Sequence, residues 1–327
     1  MNLSLMLFLC TMMVGTTMSI SSSEWIVMWI GLEVNLMSFI PIMKTSKSPY
    51  ESEASMKYFI VQAMASTMLM MAVLLLKMND HPMWVVTLMT ALFMKMGAAP
   101  FHIWYPGVMQ GISWVNCIIL MTWQKIAPMI MISYLMKNNL MTSIIVAMCV
   151  IAGAMGTMNQ TSLRKLMAYS SISHLGWLIM SMLMSNYYWM LYFMLYSTMT
   201  IITVIMFWNM SLFHLPQIMN KKMESKTKIV LFSSILSLGG MPPFTGFAPK
   251  WVLIQNMINS ENYIMIMIMV MSTLITLYAY LRMTYSAFSL MNQSMYWQMS
   301  DLNKSMSFMM MATTLLGIPI IGLVSMP

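Results

Sequence analysis

The sequence predicts an all-α fold, a polytopic transmembrane helical bundle of about eleven helices with two inverted five-helix units and two broken helices. Three observations lead there. Of 327 residues, 60% are hydrophobic and only 7% charged, with a mean hydropathy of +0.75, whereas a soluble domain carries about 25% charged residues. The chain divides into apolar stretches close to the ~20 residues that cross a bilayer as a helix. The basic residues between those stretches fall almost entirely on one side.

The spans are 3–20, 24–43, 55–76, 83–99, 112–136, 140–157, 163–184, 187–209, 228–258, 262–286 and 306–325. The first contains no basic residue, and the first lysine of the chain is Lys44, so neither a cleavable signal nor an Arg-rich transit peptide is expected. The second holds Glu33 at its tenth position, in W-I-G-L-E-V-N-L-M. The fourth runs into F-M-K-M-G-A-A-P-F-H-I-W-Y-P (93–106), with Lys95 just before Gly97 and Pro100. Proline lacks an N–H and clashes with the preceding turn, so a break is predicted there. The fifth carries Lys125 in T-W-Q-K-I-A-P, and the seventh carries His174 in Y-S-S-I-S-H-L-G-W. The ninth is split by G-G-M-P-P-F-T-G-F-A-P-K (239–250), which ends on Lys250.

Charge tests the count. Eleven spans put the N-terminus and the even-numbered connections on one side, with Lys44, Lys47, Lys57, Arg164, Lys165, Lys221, Lys222, Lys226, Lys228, Arg282 and Lys304. Lys77 and Lys137 fall on the other. Eleven against two is a strong positive-inside pattern, which predicts the N-terminus inside and the C-terminus outside. The net charge of +8 is therefore topological loop charge and calls for no nucleic acid. The densest basic stretch, 220–228, has no interleaved aromatics and reads as a solvated loop beside anionic lipid headgroups.

The spans also form a quasi-repeat within a single transmembrane domain, 1–327. Residues 1–137 make a first five-helix unit, 138–286 a second, and 287–327 a C-terminal loop and last helix. The fourth member of each unit is interrupted, by G-A-A-P at 97–100 and by G-G-M-P-P at 239–243. Five is odd, so the second unit is inverted. Paired broken helices in inverted repeats point to a transport site near the midplane.

The candidate chemistry lies in the charges buried in apolar spans: Glu33, Lys95, Lys125 and Lys250. A central charge costs about 2.5–3.5 kcal/mol on insertion scales, and such residues are functional by default. The alternatives are a purely structural Glu–Lys pair and lysines that snorkel to the headgroups. Snorkelling fits Lys125 poorly, because roughly ten apolar residues flank it on both sides. Burial and a nearby carboxylate act on a lysine in opposite directions. A lysine held between them can load and release a proton as its neighbour moves, which is the physical content of a proton relay. His102, after the first break, and His174 are auxiliary candidates able to carry protons near neutral pH; hydrogen-bonded structural histidines are the competing reading. His81 and His214 read as loop residues.

The five segments W-I-G-L-E-V-N, K-M-G-A-A-P-F-H-I-W, T-W-Q-K-I-A-P, R-K-L-M-A-Y-S-S-I-S-H-L-G-W and G-G-M-P-P-F-T-G-F-A-P-K-W occur in that order. Together they resemble the antiporter-like membrane-arm subunits of mitochondrial NADH:ubiquinone oxidoreductase, respiratory complex I, with its second-subunit family nearest, over almost the whole chain. The resemblance implies proton translocation across the mitochondrial inner membrane, driven by NADH oxidation and ubiquinone reduction elsewhere in the complex. It implies no cofactor on this chain, with NADH, FMN, iron–sulfur clusters and ubiquinone handled by other subunits. It implies as partners neighbouring antiporter-like subunits, small membrane subunits and lipids. Carried over by position, Glu33 resembles the glutamate that pairs with the first channel lysine, and Lys95 resembles that lysine. Lys125 resembles the central connecting lysine and Lys250 the lysine of the second broken helix. One departure stands out. Related chains often have Pro-Glu after the tryptophan of the first break, where this sequence has W-Y-P-G-V-M-Q, with Gly107 and Gln110.

Several other classes are excluded. The loops are too short for a folded extramembrane domain. Cys10, Cys117 and Cys149 lie singly in apolar segments, without C-x-x-C, and read as small buried hydrophobes rather than metal ligands. The 53 methionines replace Leu and Ile as apolar filler, a bias that fits an A/T-rich organellar genome with a variant code. Two rivals remain. A free-standing cation/proton antiporter would be expected to hold an ion site of carboxylates and carbonyls, and one central carboxylate argues against it. A structural scaffold with vestigial charges is the second.

Overall fold

The computed structural model describes residues 3–44, 48–78, 81–136, 140–220, 225–289 and 311–314. The chain divides into two compact units, Met1–Lys137 and Asn138–Pro327. Among the described residues, eight helices are long and apolar enough to span a membrane, and Pro82–Met96 and Thr227–Gly239 are shorter apolar helices. These ten correspond to the first ten predicted spans. The eleventh span, 306–325, lies outside the described residues apart from a helical turn at 311–314, as does most of the loop before it.

In the first unit, α1 (Leu3–Ser21) and α2 (Trp25–Met43) pack with their backbones in contact. A Cβ on Gly31 would lie 2.7 Å from the Gly15 carbonyl oxygen and from the Ser19 nitrogen. Small residues allow this approach where no hydrophobic drive exists between helices in lipid. The long α3 (Pro49–Met78) follows, then α4 (Pro82–Met96), capped at its start by His81, whose side chain accepts from the Met83 N–H. After a turn come α5 (Trp104–Gly111), α6 (Trp114–Met121) and α7 (Trp123–Leu135).

The fifth predicted span is thus itself divided, at Thr122. That residue is distorted within the right-handed helical region (φ −113°, ψ −71°), and both its N–H and its hydroxyl donate to the Ile118 carbonyl, at 3.0 and 2.7 Å. A hydroxyl bonded back to the carbonyl four residues earlier bends helices. Pro128, inside α7, further has no N–H for the carbonyl of Gln124. Lys125 therefore lies midway along the span Trp114–Leu135, as expected, but in the first turn after a bend.

In the second unit, α8 (Leu140–Met158) and α9 (Leu163–Met184) meet through Gly153, whose Cβ would lie 2.6 Å from the Ser173 nitrogen. α9 is the most buried span and forms the middle of this unit. Around it stand α10 (Asn186–Asn209), the short α11 (Leu215–Asn220), α12 (Ser225–Gly239), α13 (Phe247–Asn259) and α14 (Tyr263–Ser289). Both predicted interruptions are present, between α4 and α5 and between α12 and α13. In each the agent is glycine rather than proline.

Candidate functional site

The polar interior of the first unit gathers at the end of α4. Gly97 closes the helix in the left-handed region at φ +73°, a conformation glycine adopts without strain. The Gly97 N–H bonds the Met94 carbonyl at 3.2 Å and the Ala98 N–H bonds the Phe93 carbonyl at 3.0 Å. This is the paired-bond glycine cap of a helix C-terminus, and it falls three residues before Pro100. The carbonyl of Lys95, which the cap leaves open, accepts from Nε2 of Gln62 on α3 at 3.1 Å.

Lys95 itself is buried. With Lys125, Gln62, Gln124, Asn35 and Tyr105 it lines a cavity of about 20 Å³, room for about one water. Lys125 is 1% exposed, and its Nζ lies 5.5 Å from the centroid of the Tyr105 ring, a cation–π distance. Gln124 donates from Nε2 to Asn35 Oδ1 at 3.0 Å, tying the start of α7 to α2. Two of the four predicted relay residues therefore share one cavity.

Glu33 does not join them there. Glu33 and Lys95 form no ion pair within 4.0 Å, and Glu33 is not among the cavity walls. Helical geometry gives the reason. Leu32, Asn35 and Leu36 line the cavity as one stripe at i, i+3 and i+4, and position 33 lies about 100° round the helix from position 32. His102 lies half-buried in the turn between α4 and α5, where its carbonyl accepts from the Tyr105 N–H.

The second unit builds its centre on the same kind of cap. Gly240 takes φ +83°. Its N–H bonds the carbonyls of Leu236 and Ser237, and the Met241 N–H reaches Leu236. The next two carbonyls, which the cap leaves open, are taken by side chains. His174 Nε2 lies 3.2 Å from the Leu238 oxygen, and Lys250 donates to the Gly239 oxygen at 3.0 Å. On its other side His174 Nδ1 is 2.9 Å from the Tyr192 hydroxyl. A carbonyl only accepts, so Nε2 carries the imidazole proton, and Nδ1 of the neutral ring accepts from Tyr192. Lys250 and His174, far apart in sequence, thus converge on one helix end. The cation is well placed there, because a helix C-terminus carries partial negative charge.

Sequence reading missed Gln62, Gln124, Asn35 and Tyr192. The amides carried a signal, being polar side chains inside apolar spans, whereas Tyr192 sits in an aromatic-rich stretch and carried none. Among the described residues, no three His, Cys, Asp or Glu side chains cluster as a metal site.

The profile of the NADH:quinone oxidoreductase/Mrp antiporter transmembrane family matches residues 22–276. The chain is similar to NADH-ubiquinone oxidoreductase chain 2 of Locusta migratoria, with 45% identity over 89% of this chain and 87% of that protein. In structure it is similar to a chain of respiratory complex I from Thermus thermophilus, with a TM-score of 0.84 and 19% identity over 98% of this chain and 78% of that one. It is also similar to a chain of the Mrp complex from Dietzia, with a TM-score of 0.77 and 16% identity over 84% of this chain and 59% of that one. The two structural likenesses show the fold.

Proposed function

The chain belongs to the NADH:quinone oxidoreductase/Mrp antiporter transmembrane family and within it to the NADH-ubiquinone oxidoreductase chain 2 proteins; from that premise we propose that it is a proton-translocating subunit of the membrane arm of respiratory complex I. Protons move along an axis of Lys95, Lys125 and Lys250, with Glu33 setting the field at Lys95 and with His102 and His174 as auxiliary carriers. NADH oxidation and ubiquinone reduction drive the movement from other subunits, which hold FMN and the iron–sulfur clusters. This chain holds no redox group. Its partners are neighbouring antiporter-like and small membrane subunits and lipids, with no nucleic acid among them. It lies in the mitochondrial inner membrane with its N-terminus in the matrix and its C-terminus in the intermembrane space. The eleven-to-two distribution of loop cations supports that orientation.

One observation carries the reading: two buried lysines, Lys95 and Lys125, face one small polar cavity, each within a turn or so of a helix break. Two like charges in a low-dielectric interior repel. A structural role could be filled by apolar residues, often with a gain in stability. A cavity lined by both lysines, with room for about one water, fits proton exchange between an ammonium and a neutral amine. The Mrp likeness is one of fold, while the relatives that share 38–46% identity are named NADH-ubiquinone oxidoreductase chain 2, which favours a subunit over a free-standing carrier.

The test is a substitution series measured as proton uptake per NADH oxidised in vesicles containing the assembled complex. Lys125→Met removes the charge and keeps a good helix former; it is expected to abolish transfer through this subunit. Lys125→Arg keeps the charge but holds its proton permanently, and is expected to impair turnover. Assembly and parental uptake in both variants would make Lys125 structural and end the relay reading.

A further inference from the structure

We propose that Gln62 is a positioning residue: its amide caps the broken end of α4 and so leaves the Lys95 ammonium to the cavity. The proposal rests on the relay reading above. It comes from aligning the two caps. Ala98 bonds back to Phe93 as Met241 bonds back to Leu236, and Gly97 bonds to Met94 as Gly240 bonds to Ser237. In that register the Lys95 carbonyl corresponds to the Leu238 carbonyl, and the Met96 carbonyl to that of Gly239.

The two units fill these positions with different chemistry. In the second unit the acceptors hold a histidine and a lysine, so the ammonium of Lys250 is committed to the helix end. In the first unit the Lys95 carbonyl is held by a neutral amide. The orientation of that amide is fixed, because only the NH₂ group can face a carbonyl oxygen. Gln62 is buried and lines the cavity. Lys95 makes no hydrogen bond from Nζ among the described residues, although it stands in the last turn of α4. Lysines in that turn can bond the terminal carbonyls, and a buried carbonyl left without a donor is destabilising. With Gln62 in place, the Lys95 carbonyl, the counterpart of the one that His174 takes in the second unit, already has its donor. Without it, a buried acceptor opens at the helix end and the ammonium has reason to leave the cavity for that end, where in the second unit Lys250 holds the neighbouring carbonyl.

The experiment compares Gln62→Met, Gln62→His and Lys95→Met in the assembled complex, with assembly checked by native electrophoresis and proton uptake per NADH measured in vesicles. Gln62→Met, similar in length but without a donor, is expected to assemble and to show the same loss of uptake as Lys95→Met. Gln62→His restores an N–H donor of the kind His174 offers to Leu238, and is expected to recover most of the parental ratio. If Lys95→Met loses uptake and Gln62→Met does not, the positioning role is wrong and the relay reading stands. If neither loses uptake, the relay reading fails and the proposal with it. If Gln62→His assembles and pumps no better than Lys95→Met, the amide is only a packing element and the proposal is overturned, whether or not Gln62→Met assembles.

Discussion

The two helix breaks share one cap and differ in everything around it. Each ends on a left-handed glycine, Gly97 or Gly240, with bonds running back to the same two carbonyl positions. In the first unit the lysine precedes the cap by two residues, and its side chain faces a cavity. In the second the lysine follows the cap by ten residues and reaches back to bond the helix end. The surroundings differ in tightness as well. A Cβ on Gly246, at the entry to α13, would lie 1.7 Å from the Ser237 carbonyl oxygen. A Cβ on Gly107, in α5 after the other break, would meet nothing within 4 Å. The entry to α13 is thus backbone-tight and position 107 of α5 is open, although α5 ends on Gly111, whose Cβ would lie 2.7 Å from the Tyr50 carbonyl oxygen. Identical local chemistry therefore does not fix how a broken helix uses its charge; the position of the lysine relative to the cap does.

The largest expected effect comes from breaking the tight side. Gly246→Ala puts a methyl inside the Ser237 carbonyl, a backbone atom that cannot swing away as a side chain can. Overpacking of this kind costs about 3 kcal/mol or more. The expected result is failure of the subunit to assemble, read as loss of the intact complex on native electrophoresis. Normal assembly and uptake would show that the loop of residues 240–246 can relax, and the contrast in tightness would fall.

The middle prediction sets the two caps against each other. Gly240→Ala and Gly97→Ala both force alanine into the left-handed region, at roughly 1–2 kcal/mol each, so both should lower the melting temperature of the complex by similar amounts. Their transport should differ. A Cβ at Gly240 would stand 2.8 Å from Lys250 Nζ, while one at Gly97 meets Tyr105 and Trp104 at 3.2–3.3 Å and no lysine. Gly240→Ala should displace the ammonium from the Gly239 carbonyl and depress proton uptake per NADH. Gly97→Ala should lose stability with uptake nearly kept. Equal loss of uptake in both variants would mean that the caps, and not the lysine contacts, limit transfer.

How much of this was legible in the sequence follows from what each feature costs. Helix lengths and the first ten spans were legible because an apolar run of ~20 residues has few alternatives. The buried lysines were legible because a charge in such a run is expensive enough to be rare. The breaks were legible as Gly-Pro clusters, but the agent was misassigned: Gly97 and Gly240 end their helices before Pro100 and Pro242 are reached. The third break, at Thr122, was hidden because a threonine is ordinary in a helix, and only its hydroxyl bond to Ile118 reveals the bend. A Glu33–Lys95 contact, direct or through one water, was expected from membrane depth; depth says nothing of azimuth, and Asn35 lines the cavity where Glu33 does not. Gln62 was visible as a polar side chain in an apolar span and Tyr192 was not, but neutral polar groups are cheap enough to occur in many places, so both roles emerged only with their partners.

The smallest expected effect lies on the loose side, at Gly107. Glycine inside a helix costs roughly 0.5–1 kcal/mol relative to alanine, because it loses more backbone freedom on folding. Glycine is needed for a close approach or a positive φ, and Gly107 has neither: beyond its chain neighbours and the nearby backbone of its own helix, no described atom stands within 4 Å of its would-be Cβ, and its φ is not positive. Gly107→Ala should therefore stabilise α5 slightly, raising the melting temperature of the complex by a degree or two at most, with proton uptake per NADH unchanged. The sign is the informative part, since it is opposite to that expected for Gly246→Ala. A fall in stability at Gly107 would mean that a neighbouring subunit packs against this position in the assembled complex, and that the openness of the first break belongs to the chain alone. The same site allows a sharper version. Gly107→Glu places a carboxylate where the resemblance leads one to expect it, and its Cβ meets no neighbour within 4 Å. If uptake stays at the parental ratio, entry at this turn is not what limits the first unit, and transfer is set deeper, at the cavity between Lys95 and Lys125.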